Sequence, residues 1–313
     1  MAEPRFGVLL WSQGSDWPRF EEAARTVEGL GYDHLWTWDH LYAIFGDPYQ
    51  PIFEGWVAIA ALAKVTARIQ IGLLVGANTF RNPALVAKLA TSVDHVSGGR
   101  AILGLGGAWF ELEHEAFGID FGKSPGARLA WLDEAVGIVR RLLAGEEVTH
   151  RGERYRFEAL RIIPGPLGPL PLMIGGGGER KTLRTVAKYA DMWNGFGNPE
   201  ITAHKIRVLR KHCEEVGRDP AEIELTVGCK PLIRDTEAEA RNVWHNLMAR
   251  NQTPTSRVED DESFWIGTVD QMVERMTAYR RIGVDTFIFE MPAPYDDETL
   301  ERLISEVKPE IGR

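Results

Sequence analysis

Only two cysteines, Cys213 and Cys229, occur in 313 residues. That is too few for a disulfide framework or a thiolate metal site, and it implies a reducing compartment. Positive charge is also short: 36 Lys and Arg against 45 Asp and Glu leave a formal net charge of −9. The chain therefore lacks the basic face through which a nucleic-acid partner would release phosphate counterions. No apolar run approaches the roughly 20 residues that span a bilayer, and Phe6 to Trp11 is too short for a secretory h-region. A cytosolic protein without nucleic-acid or membrane partners is expected. His114 and Glu115 lack H-E-x-x-H spacing and no three histidines cluster, so no metal site is expected, and a metal-dependent hydrolase is disfavoured. Solenoid-period repeats and low-complexity tracts are missing too.

What is present is alternation. Short apolar runs and helical periodicity follow one another along a chain that is 44% hydrophobic, the signature of parallel strands with helical crossovers. About eight such units are counted, which predicts an α/β fold: a (β/α)8 TIM barrel with insertions, as one domain over 1–313. The strands are placed at Phe6–Leu10, His34–Trp38, Ile69–Val75, Ala101–Leu105, Pro171–Ile174, near Met192, Ile223–Lys230 and Asp285–Glu290. Asn82 and Pro83 start a helix whose buried face is predicted as Leu85, Leu89, Val93 and Val96, ended by Gly98 and Gly99. Thr268 and Gln271 form a capping box, and Asp296 begins a last helix. Val148–Ile163 reads as an inserted hairpin. Arg250 to Trp265 reads as a loop, either a substrate-selecting lid over about 250–266 or a plain surface segment.

In such a barrel the chemistry sits just after the strands. Strand two delivers Asp39 and His40 beside Trp36 and Trp38, an aromatic wall suited to a planar cofactor. A histidine next to an aspartate is often only a satisfied polar pair, but its place at a strand end favours a proton-transfer role for His40, with Asp39 setting the local polarity. His95 reads as packing against its own helix turn. Strand three leads to Gly76 and Asn78. Strand four ends in Gly104, Gly106 and Gly107, where backbone can approach a ligand; the third glycine of a dinucleotide fingerprint is missing. Trp109 either stacks on a ring or plugs the barrel mouth, and Glu113 is either a site residue or a surface carboxylate. After strand five, Gly175, Gly176, Gly177 and Gly178 run into a helix over Lys181–Tyr189. Their amides, the helix dipole and the charges of Arg180 and Lys181 make an anion cradle that fits a phosphate, unless the glycines merely relieve a mobile turn.

The stretches TFRNPALVAKLATSVDHVSGGR and GLGGAWFELE, the Trp38, Asp39, His40 triplet, and PLMIGGGGERKTLRTVAKYADMWN together resemble the luciferase-like monooxygenases, in particular their coenzyme F420-dependent branch. The resemblance covers essentially the whole chain. It implies a bacterial luciferase-like barrel and a ring-shaped cofactor in the barrel mouth against a non-proline cis peptide, here joining Leu74 and Val75. It also implies that the cofactor phosphate lies in the Gly175 to Gly178 cradle and that His40 stands near the reactive ring carbon. Cofactor-binding residues expected on this basis are Leu74, Val75, Gly76, Asn78, Gly104, Gly106, Gly107, Gly175 to Gly178, Arg180 and Lys181. Trp38, Trp109 and Glu113 are expected to meet substrate. Sugar-phosphate-oxidising relatives carry a glutamate where this chain has Trp109 and a tryptophan where it has Ile44, so a sugar-phosphate substrate is not expected. The implied activity is hydride transfer between the deazaflavin and a small organic substrate, by a homodimer. The alternatives are a two-component monooxygenase using FMN and, in a different class, a non-catalytic flavin-binding protein.

Overall fold

The computed structural model describes residues 3–254 and 261–312. Its strands are β1 Arg5–Leu10, β2 His34–Thr37, β3 Gln70–Leu73, β4 Gly76–Ala77, β5 Ala101–Gly106, β6 Val148–Arg151, β7 Arg156–Leu160, β8 Leu172–Gly175, β9 Met192–Gly195, β10 Glu224–Ile233, β11 Phe264–Gly267 and β12 Thr286–Met291. Taken in the order β1, β2, β3, β5, β8, β9, β10 and β12, every neighbouring pair is parallel, and β12 returns to pair with β1. This closes the expected eight-stranded barrel.

Alternation along each strand builds two cores. Leu9, Trp11, Trp36, Trp38, Ile102, Met173, Met192 and Ile288 form a cluster with inward-facing positions from six barrel strands. Their neighbours Val8, Leu35, Leu103, Ile174 and Phe287 face outward and pack beneath the helices. Among the described residues, no helix is long and apolar enough to cross a membrane.

Local signals placed most element ends. The Asn82 side chain accepts the Leu85 amide at 2.9 Å, Pro83 opens the helix Pro83–Ser97, and Gly98 closes it in a left-handed conformation. The Thr268 and Gln271 capping box is present, and Asp296 caps the helix Asp297–Arg302. The inserted hairpin is the antiparallel pair β6 and β7.

Three readings change. The buried face of Pro83–Ser97 is Val86, Ala90, Val93 and Ser97, while Leu85 is 46% and Val96 42% exposed. Small residues face the neighbouring elements there, so the largest side chains were misleading markers of the core. The expected strand Ile69–Val75 stops at Leu73 and resumes as β4 after Val75. In the segment read as a lid, Phe264–Gly267 is a strand, β11, paired with the far end of β10; residues 255–260 of that segment lie outside the described residues.

One inward-facing polar residue sits beneath the site. His34 is fully buried and neither ring nitrogen has a hydrogen-bond partner. Desolvation, with Arg5 nearby, drives its pKa down to about 3. An unfolded histidine titrates near 6.5, so between these values the unfolded chain binds a proton that the folded chain refuses. Stability should therefore fall as pH drops below about 6.5, with a His34 contribution of up to about 1.4 kcal/mol per pH unit. Urea midpoints between about pH 7 and pH 4 measure this slope; His34→Leu should flatten it, and an unchanged slope would contradict the assignment.

Candidate active site

The C-terminal ends of the barrel strands surround a cavity of about 400 Å³. One wall is made by the break in the third barrel strand. The Leu74–Val75 peptide bond is cis, and the Val75 side chain lies against β5 and β8. A Cβ on Gly106 would stand 2.6 Å from Val75 Cγ2, and one on Gly104 only 2.0 Å from the Leu73 carbonyl oxygen. These glycines make room for the chain's own bulge, a steric demand that their sequence context did not reveal. Leu74, Val75, Gly76, Gly106 and Gly107 line the cavity; Gly104 does not.

Asp39, 2% exposed, clamps this bulge to the end of β2. Its carboxylate accepts from Arg81 Nη1 at 2.8 Å and Nη2 at 3.1 Å, and from the Ala77 amide at 2.9 Å. Arg81 also donates to Glu54. Burial pushes the Asp39 carboxyl above its ordinary range, against the pull of Arg81 and the amide.

His40 follows directly and points its ring toward an aromatic rim, edge-on to Trp109 at 5.7 Å and to Trp38 at 6.3 Å. Its Nδ1 lies 2.9 Å from Glu113 Oε1, and the other carboxylate oxygen accepts the Leu41 amide at 2.8 Å. Glu113 is 1% exposed, so it is no surface carboxylate: it holds the imidazole and the backbone after it. Trp109 is 61% exposed at the mouth.

Across the cavity, Gly175 and Gly176 line the wall together with Thr182, the first residue of the helix Thr182–Tyr189. Gly177, Gly178, Arg180 and Lys181 stand outside that lining, and Lys181 Nζ donates to the Gly126 carbonyl at 2.7 Å. Asn78 is buried behind the wall, its amide 3.3 Å from the Tyr155 hydroxyl. His95 is exposed and bonds the Gly165 carbonyl rather than its own turn.

The family model described as Luciferase-like monooxygenase matches residues 4–286. The chain belongs to this family. An uncharacterized protein of Mycobacterium tuberculosis is 32% identical to this luciferase-like chain over 228 residues, 67% of the chain and 77% of the relative. Among solved structures, an F420-dependent secondary alcohol dehydrogenase bound to an F420-acetone adduct superposes with a TM-score of 0.85 at 18% identity, covering 99% of both chains. The coenzyme F420 dependent tetrahydromethanopterin reductase from Methanopyrus kandleri follows at 0.81 and 18%, over 99% of this chain and 100% of that one. A long-chain alkane monooxygenase reaches 0.79 at 15%, over 99% and 91%. At these identities the structures show a shared fold.

In this luciferase-like barrel the cavity also takes Leu9, Ile44, Phe45, Asn194, Phe196, Lys230 and Glu290, none of which the sequence reading assigned to the site. Two left a signal: Lys230 directly follows the part of β10 paired with β12, and Glu290 is the next-to-last residue of β12, charged residues near barrel strand ends where site residues gather. Arg81 is the other omission, a cation inside a conspicuous motif whose partner lies 42 positions away. Among the described residues, no group of three or more His, Cys, Asp or Glu could hold a metal ion.

Proposed function

We propose that this chain is an oxidoreductase moving a hydride between coenzyme F420 and a small organic substrate, with His40 supplying or accepting the coupled proton. The observation that carries this reading is the His40–Glu113 pair on the cavity wall. With Glu113 accepting from Nδ1–H, the ring is held in one tautomer and Nε2 has no protein partner among the described residues. Oxidation of a carbinol releases a hydride from carbon and a proton from oxygen; His40 Nε2 takes that proton, and returns it in the reverse direction.

The residues fit a deazaflavin. Asn194 Oδ1 is a buried acceptor without a partner on the cavity wall, as a ring N–H requires. Leu74, Val75 and Gly76 offer an apolar face to a planar ring. Gly175, Gly176 and Thr182 open onto the glycine loop, where the amides through Gly178, with Arg180 and Lys181, would hold the phosphate. When bound, the deazaflavin supplies a two-electron hydride donor or acceptor. The family, whose barrel is shared with two F420-dependent enzymes, supports this reading. A homodimer is part of the proposal.

Fluorescence titration of the purified protein with F420 and with FMN is the test. Saturable F420 binding is expected; tight FMN binding with no F420 binding would overturn the proposal in favour of a two-component monooxygenase, the kind of chemistry suggested by the monooxygenases that share this fold.

A further inference from the structure

The reaction just described leaves one charged pair on the cavity wall unused. Lys230 and Glu290 are 6% and 7% exposed. Parallel register sets them side by side, because Cys229 pairs with Phe289 one residue earlier. Yet Nζ and Oε2 are 3.7 Å apart, beyond a hydrogen bond. Lys230 is held elsewhere: it donates to Ser263 Oγ at 2.9 Å and lies over the rings of Phe264 and Phe45, at 4.9 and 5.9 Å. The donors facing Glu290 are the Lys230 ammonium and the indole N–H of Trp11, a buried donor with no other partner among the described residues. Burial pushes its carboxyl up, with Lys230 pulling the other way.

A nearly buried carboxyl that faces a cavity and whose lysine stands 3.7 Å away is costly unless a ligand completes its hydrogen bonds. Lys230 offers donors and Glu290 an acceptor across a gap slightly too wide for direct contact. We infer that the two form a polar subsite for a second functional group of the substrate, one that accepts from the ammonium and donates to the carboxyl: a hydroxyl or a carboxamide. The inference rests on the oxidoreductase reading only for placing the reacting carbon at His40.

Charge accounting narrows the class further. Among the lining residues, Asp39 is tied to Arg81 and His40 to Glu113, and Lys230 stands beside Glu290. No lining cation lacks a neighbouring carboxylate, so a phosphate or carboxylate placed there would meet Glu290. Ile44, Phe45, Phe196 and Trp38 make the intervening wall apolar. The substrate class is thus a neutral molecule with an apolar body, carrying its reactive carbinol or carbonyl at one end and a hydroxyl or amide at the other.

Calorimetric titration of the protein, with and without F420, tests this with matched probes: cyclohexanol, the trans diol with its second hydroxyl across the ring, and the corresponding carboxamide and carboxylate. At least one neutral bifunctional probe should bind about tenfold more tightly than cyclohexanol, and the carboxylate should show no such gain. Lys230→Met combined with Glu290→Leu, which leaves neither charge buried alone, should abolish that ratio; Glu290→Gln, isosteric and neutral, should lower it. The inference is overturned if no bifunctional probe outbinds cyclohexanol, or if the gain survives the double replacement. Failure of the hydride-transfer reading would look different: F420 would not bind, while the preference for the bifunctional probe persisted.

Discussion

On the proposed function, replacing His40 by alanine is expected to lower turnover by about 10²- to 10⁴-fold, the usual worth of a positioned acid or base, and to leave F420 affinity close to that of the parent. The expectation follows from the division of labour in the cavity. His40 faces it from the end of β2 with Nδ1 held by Glu113, whereas the residues assigned to ring and phosphate lie on β4, β8 and β9 and the loops beside them. Steady-state kinetics and fluorescence quenching on the same preparation separate the two effects. Unchanged turnover would remove His40 from the chemistry, and absence of turnover in a parent protein that binds F420 would favour a non-catalytic flavin-binding protein. Glu113→Ala should reproduce part of the loss and shift the pH profile of kcat, because the ring would then be free to change tautomer and orientation.

Asp39→Ala should be the most destabilising single change in the site, at about 3 kcal/mol or more. It removes both hydrogen bonds to the Arg81 guanidinium, whose side chain is 14% exposed, and leaves the Ala77 amide without an acceptor. Glu54 still contacts Arg81, which limits the loss. Asp39→Asn keeps an acceptor for Ala77 and Arg81 Nη1 but loses the charge and the acceptor for Nη2, so it should cost less than the alanine. Denaturant midpoints give the stability of each. Since Asp39 joins β2 to the segment after the cis bond, a folded Asp39→Asn protein should also bind F420 more weakly. Equal affinity and equal stability would show that the clamp has no part in shaping the pocket.

These two neighbours illustrate what could be read in advance. Their place at a strand end was legible, because the run from His34 to Trp38 is followed by polar residues just where a barrel strand must stop. Their partners were not. Glu113 and Arg81 lie 73 and 42 positions downstream, each in a stretch whose local pattern says only helix start or turn. The glycines of β5 were noticed for the right reason, a close approach, but what approaches Gly104 and Gly106 is Leu73 and Val75 of the same chain. The helix Pro83–Ser97 makes the complementary point: its caps were readable residue by residue, while its buried face, apart from Val93, was displaced by one position. Burial there depends on the width of the gap beneath the helix, which Ala87 and Ala90 fill.

The sequence alone determined the order of the eight barrel strands, the caps at Asn82, Thr268 and Asp296, and the barrel class, because those follow from periodicity and dihedral preference within a few residues; the break after Leu73 and the strand β11 were not legible there. Only the tertiary structure decided which polar groups meet. Closing β12 onto β1 brings strand ends from the whole chain around one cavity. Lys230 meets Glu290 through the parallel register of β10 and β12, and His40 and Asp39 meet Glu113 and Arg81 where the segments after β2, β4 and β5 converge at the same barrel mouth, distances that no local pattern carries.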